Sequence, residues 1–238
     1  MLASQAMRQH HEFWHLGRQW NNLDNETRTF LEQRQYHAPR QARTPGAGLD
    51  FLGMHRNMIS MVNQQLATLH YPTYPQVQGW HPIPFNHADI DYPMPPVWPG
   101  AEAFVRDAKS LAATNYWQQA VTQRYENNNW LATQSIDAVG TEIEQGIHNW
   151  LHVHWASEPW FREGQGKDEN DVRNDFLGST YSSHVNKRFW KLHGWIDNRI
   201  TQWEQVNNQQ ADFSNVWDGP AGHQHHMMAP LNNKAMVQ

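Results

Sequence analysis

Two pairs of histidines constrain this chain more than any other feature. His11 and His15, and again His148 and His152, stand four residues apart. In an α-helix such positions lie about 40° apart around the axis and about 6 Å apart along it, so their imidazoles can converge on one ion. Each pair is followed by a further histidine in an apolar stretch. His55 comes 40 residues after His15, and His193 comes 41 after His152. One such pair is a weak signal, because helical histidines often fall at that spacing and make ordinary hydrogen bonds. Two pairs with the same distant partner imply two helix–loop–helix halves with three imidazoles each, closed into a bundle with metal at its middle.

Composition narrows the ligands and the setting. Cysteine is absent, which excludes disulfides, iron–sulfur clusters, thiolate zinc sites and cysteine nucleophiles. The 16 histidines are what remains for borderline metals, and imidazole suits zinc, copper, iron and nickel. A net charge of -5 without a long basic run argues against nucleic acid as a partner. No apolar run approaches membrane-spanning length, and the first 15 residues lack the apolar core of a signal peptide. The expectation is a cytoplasmic protein, or one exported alongside a partner.

Periodicity predicts a mostly helical chain. Helices are expected over residues 4–20, 26–36 with Asn22 or Asp24 as cap, 50–69, 101–125, 136–155 and 183–206. Residues 71–100 hold 8 of the 13 prolines and cannot be regular helix. They also carry Trp80, Ile83, Phe85, Ile90 and Trp98, so they read as a long loop packed over the core, able to restrict entry to a site beneath. Residues 157–180 form a polar loop. The chain divides into one domain, 1–217, and a tail, 218–238, with too little to pack. His223, His225, His226, Met227 and Met228 make that tail a possible copper-loading segment.

The stretches HNWLH, FWKLHGWID, FLGMHR and HHEFWH resemble the type-3 copper proteins, the tyrosinases, catechol oxidases and haemocyanins. The resemblance covers roughly residues 8–60 and 140–205. It implies an all-α fold with a central four-helix bundle around two coppers. His148, His152 and His193 would hold the second copper. His55 would be a ligand of the first, with two of His11, His15 and His37 beside it. Arg56 would be a structural hydrogen-bonder and Asp197 an acid supporting a ligand. Two departures stand out: the family's Asp-Pro before the last helix is Asn186-Lys187, and its histidine nine residues before the HR ligand is Gly46.

The resemblance also implies a reaction, the oxidation of a small phenol or catechol by dioxygen. A copper-delivering protein is the other partner it suggests, and oligomeric state stays open. Glu144 lies four residues before His148, and together with Asn149 would hold a water that deprotonates an incoming phenol. A phenol with a pKa near 10 is a poor metal ligand at neutral pH, so such a base favours hydroxylation of monophenols beside oxidation of o-diphenols. Val153, after the second ligand of that pair, is small enough to leave room for an aromatic ring. Aromatic walls are expected from the 13 tryptophans. Asp197, Asn149 and nearby carbonyls would fix the outer ring nitrogens of the ligands. His154 and His184 read as structural. Two other readings compete: an oxygen carrier or non-catalytic copper protein on the same frame, and a zinc protease. HEFWH, residues 11–15, formally satisfies HExxH, although only ten residues precede it and no HxxGxxH follows.

Overall fold

The computed structural model describes residues 1–69, 76–158 and 170–221, so the histidine- and methionine-bearing tail lies outside the described residues. The described chain is helical and without strands, as the periodicity predicts. In order run α1 (Gln5–Gly17), α2 (Asn25–Glu32), α3 (Ala47–Thr68), α4 (Ala103–Ala108), α5 (Leu111–Ala120), α6 (Asn128–Leu131), α7 (Ile136–Ile143), α8 (Asn149–His154) and α9 (Lys187–Asn207). No described helix is long and apolar enough to cross a membrane.

Caps explain most of the boundaries. The side chains of Ser4, Asp24, Ser110, Ser135 and Asn186 each accept from a backbone N–H in the first turn of the helix that follows. Asn186 thus starts α9 by capping it. Asp50, the expected start of α3, lies inside that helix instead. Its carboxylate is buried, accepts from Arg40 and from the Trp217 N–H, and so ties the chain's later part to α3.

Two expected long helices are interrupted. Residues 101–125 divide into α4, α5 and a π-helical turn, Val121–Tyr125. Residues 136–155 form α7 and α8 joined by a second π-helical turn, Glu144–His148, in which Gly146 leaves helical geometry (φ -115, ψ -105). Single π-turns inside helices recur at functional sites, and this one carries Glu144 and His148.

The core is a layer of Trp, Phe, Leu and Ile side chains between α3, α7 and α9, with α1 joined to it by Trp14 and Phe13. Helices α3 and α7 meet backbone to backbone. A Cβ on Gly48 would fall 2.0 Å from the Asp137 carbonyl oxygen, and one on Gly140 would fall 2.3 Å from the Gly48 oxygen. The proline-rich segment packs as expected through Trp80 and Ile83, both buried, but Ile90 is 96% exposed. It runs as a strap over α9. The Trp80 N–H donates to the Lys191 carbonyl, and Gly79 sits so close that a Cβ there would fall 2.1 Å from Trp195 N.

Candidate metal centre

Helices α1, α3, α8 with the turn before it, and α9 bring six imidazoles together. One nitrogen from each of His11, His15 and His55 lies within 4.8 Å of the others, and the same holds for His55, His148 and His193. His152 completes the group. Its ring centroid is 4.6 Å from that of His148, and its Nε2 is 3.3 Å from Nε2 of His193. His55 is central, stacked on His193 at 4.1 Å with the planes 9° apart. Phe189, fully buried, packs against His193 and His11 at 4.0 and 5.4 Å.

The outer ring nitrogens decide which lone pairs face inward. Nδ1 of His11 donates to the Thr180 carbonyl (2.6 Å), Nδ1 of His55 to Phe51 (2.9 Å) and Nδ1 of His152 to Leu177 (2.7 Å). A carbonyl only accepts, so Nδ1 carries the proton in each ring and Nε2 keeps the lone pair. Nε2 of His11 and of His55 are buried without a hydrogen-bond partner, as is Nδ1 of His193. Neither ring nitrogen of His148 has a hydrogen-bond partner of good geometry; the adjacent Asn149 side chain still bears on the ring and works against the lowering of its pKa. An orphaned buried nitrogen costs about 1–3 kcal/mol. Several pointing at one another are what a metal would satisfy.

Electrostatics keep these rings neutral. Burial, and then its neighbours, hold His11 down to about 3, and burial holds His152 down to about 4. His15, His55, His148 and His193 lie well below the usual histidine range, through burial first and mutual repulsion next. Six neutral imidazoles with no carboxylate or thiolate among them form a donor set for a borderline transition metal. These clusters can hold a metal ion.

Beside the cluster opens a cavity of about 430 Å³. His15 and His148 form its metal-side wall, with Arg18 and Glu144 between them. The rest is largely amide: Gln19, Asn21, Asn22, Gln41, Gln145 and Asn149, with Arg43 and Ala42. Among the described residues no tryptophan or other aromatic carbocycle lines it, so the expected aromatic walls are not found there, and no described residue of the proline-rich strap lines it either. Val153 is half-buried and outside the lining.

Several predicted residues take roles other than those expected. His37 is exposed and stacked on Trp20 at 3.9 Å, apart from the cluster, so His11 and His15 are the two that join His55. Asp197 fixes no ligand ring. It accepts from Nε of Arg56 at 2.6 Å, which ties α3 to α9 and makes Arg56 the structural hydrogen-bonder that was expected. Backbone carbonyls orient the ligands instead. His154 points away, its Nδ1 donating to the Ala108 carbonyl, and His184 is buried against the Leu2 carbonyl, 5.2 Å from the His11 ring.

The residue that spacing did not reveal is Arg18. Buried at 1% exposure, it binds both oxygens of Glu144 and the Ala47 carbonyl. The available signal was its place three residues after His15 on one helical face. Burial raises the Glu144 pKa from the usual carboxylate value, and the Arg18 guanidinium opposes that rise. Each carboxylate oxygen has a second lone pair, so Glu144 can still accept a proton from the cavity side.

A scan against protein-family models finds no match for this chain, and a search of curated proteins finds none either.

Proposed function

We propose that the chain is a tyrosinase-like phenol oxidase whose four histidine-bearing helices form a bundle around two coppers. His11, His15 and His55 would hold one ion; His148, His152 and His193 would hold the other. The observation that carries this reading is the convergence of six imidazoles in which Nε2 of His11 and of His55 are left proton-free and buried without a partner. Bound copper would supply oxygen activation and electron transfer, with dioxygen as co-substrate. Overall, a monophenol and one dioxygen give an o-quinone and one water; two o-diphenols and one dioxygen give two o-quinones and two waters.

The chain's own residues bind, orient and deprotonate. The cavity admits a phenol to the face formed by His15 and His148, where the amide side chains exchange hydrogen bonds with its hydroxyl. Glu144, with its pKa raised by burial, takes the phenolic proton on an oxygen lone pair that Arg18 leaves free. Arg18 keeps the carboxylate aimed at the cavity floor. Asn149, exposed on the same wall, would position the water through which the proton moves. A zinc protease needs only His11, Glu12 and His15 with one further ligand, and leaves the second group of imidazoles without a purpose.

The test is copper loading followed by turnover. Two coppers per chain and oxygen-dependent oxidation of 4-methylcatechol are expected; a ratio of one, or zinc preference with peptide cleavage, would overturn the reading. Two coppers and oxygen binding without catechol oxidation would leave a carrier. Glu144→Gln should cut monophenol turnover by about 100-fold, more than it cuts catechol turnover, because removing a general base costs at least that much where a proton must leave.

A further inference from the structure

We infer that the substrate of this site is a phenol joined by a short spacer to a second aromatic ring, which lies in a groove adjoining the metal-side cavity. The inference rests on the phenol-oxidase reading for the first ring only. The groove has a volume of about 490 Å³ and is lined by Tyr116, Trp117, Tyr125, Arg124 and Gly146, among others. It shares two residues with the metal-side cavity, Arg43 and Gln145. These two meet through one hydrogen bond, from Arg43 Nε to Gln145 Oε1 at 2.8 Å. Arg43 is exposed and holds φ at 72°, a left-handed value that few residues other than glycine adopt. Such a backbone conformation at the junction of two cavities marks Arg43 as placed by the fold.

The aromatic surface missing from the metal-side cavity is found in this groove. Tyr116 is 57% exposed, and its ring meets Trp117 edge to face at 4.9 Å. Both π-helical turns reach the groove: Tyr125 ends the first, and Gly146 lies within the second, between Glu144 and His148. Gly146 keeps the floor open. A Cβ there would fall 3.1 Å from Tyr125 Oη and 3.2 Å from Trp117 Cη2. One turn of backbone therefore separates the phenol-binding face from an aromatic floor rimmed by two guanidinium groups. A ring stacked on Trp117 gains edge and face contacts, and Arg43 and Arg124 can add cation–π contact at its rim. A carboxylate is the poorer occupant. Arg124 is already 3.7 Å from Glu142, whose own carboxylate is part of the lining and repels another.

Binding to the full chain under nitrogen, measured by calorimetry, tests this without turnover. The probes are 4-ethylphenol and 4-(2-phenylethyl)phenol. The two-ring phenol should bind at least about tenfold more tightly, or about 1.4 kcal/mol. Trp117→Ala and Tyr116→Ala should each bring that ratio down toward one; Tyr116 lies on the surface, so its variant keeps the test valid if the Trp117 variant folds poorly. A ratio near one in the unaltered chain, no binding of either probe, or a tenfold ratio kept in both variants overturns the inference. The copper ratio is measured on a parallel sample. Two coppers with a binding ratio of one removes the groove and keeps the oxidase reading; a tenfold ratio without copper uptake does the reverse.

Discussion

The amino-terminal and carboxy-terminal halves of the histidine cluster use the same spacing on different backbones. His11 and His15 sit on the uninterrupted α1, and His11 is fixed by a carbonyl from the loop before α9. His148 and His152 straddle the junction of a π-helical turn and α8, and only His152 is fixed in that way. Each half gives one histidine to the cavity, His15 and His148, whose rings lie 6.4 Å apart and 11° from parallel. Four-residue spacing brings two rings together in both halves because the backbone from His148 to His152 is α-helical, as it is in α1, and the break at Gly146 lies before His148. The backbone decides what else reaches the site, and the π-turn turns Glu144 and Gln145 into the cavity as well.

The sharpest way to break the comparison is through the residue that belongs to both halves. His55 groups with His11 and His15 and equally with His148 and His193. With His55 assigned to the first ion, His55→Gln should leave about one copper per chain and reduce catechol oxidation at least about 1,000-fold, since catalytic groups acting as a unit are not additive. His11→Gln and His152→Gln should each leave about one copper as well, as read by metal analysis. If His55→Gln instead drops bound copper well below one, His55 supports both ions, as its second grouping with His148 and His193 allows.

A second test addresses the buried link between the halves. Arg18 on α1 and Glu144 on the π-turn are both nearly inaccessible, and removing one partner of such a pair costs about 3–5 kcal/mol. Arg18→Met should lower unfolding free energy in urea by that amount and raise the Glu144 pKa further, because the guanidinium that opposes the rise is gone; a loss under about 1 kcal/mol would show the pair to be dispensable. The smallest effect belongs to the other bridge, Arg56–Asp197, which is more than a quarter exposed on both sides. Solvent screens it, so Arg56→Ala should cost no more than about 1 kcal/mol by the same measurement.

Much of this arrangement was legible in the sequence because it depends on local periodicity. His11, His15, His148 and His152 are set by four-residue spacing, and His55 and His193 by their places on apolar helices. What was not legible depends on contacts between distant segments. The carbonyls of Leu177 and Thr180 that orient His152 and His11 come from a polar loop whose backbone has no sequence signature. Glu144 is marked by its place before His148, but its pairing with Arg18, 126 residues away, has no sign in the sequence until α1 and the π-turn meet. His37 lies within reach in sequence, but stacking on Trp20 keeps it at the surface. The π-turn escaped because its residues fit a continuous helical pattern, and only Gly146 hints at a break.

The contact between the proline-rich strap and α9 has a consequence for how such a chain can change. Gly79 and Gly194 face each other with no room for a methyl group on either, and Gly194 follows His193 directly. The described residues of the strap do not line the cavity, and Ile90 among them is almost fully exposed, so substitutions there meet little of the protein. At Gly79 that freedom ends: a single added carbon there would lift the strap or shift α9, and the displacement would arrive at a histidine of the cluster. The stretch that most resembles a spacer thus contains a point at which the smallest substitution is transmitted to the metal ligands.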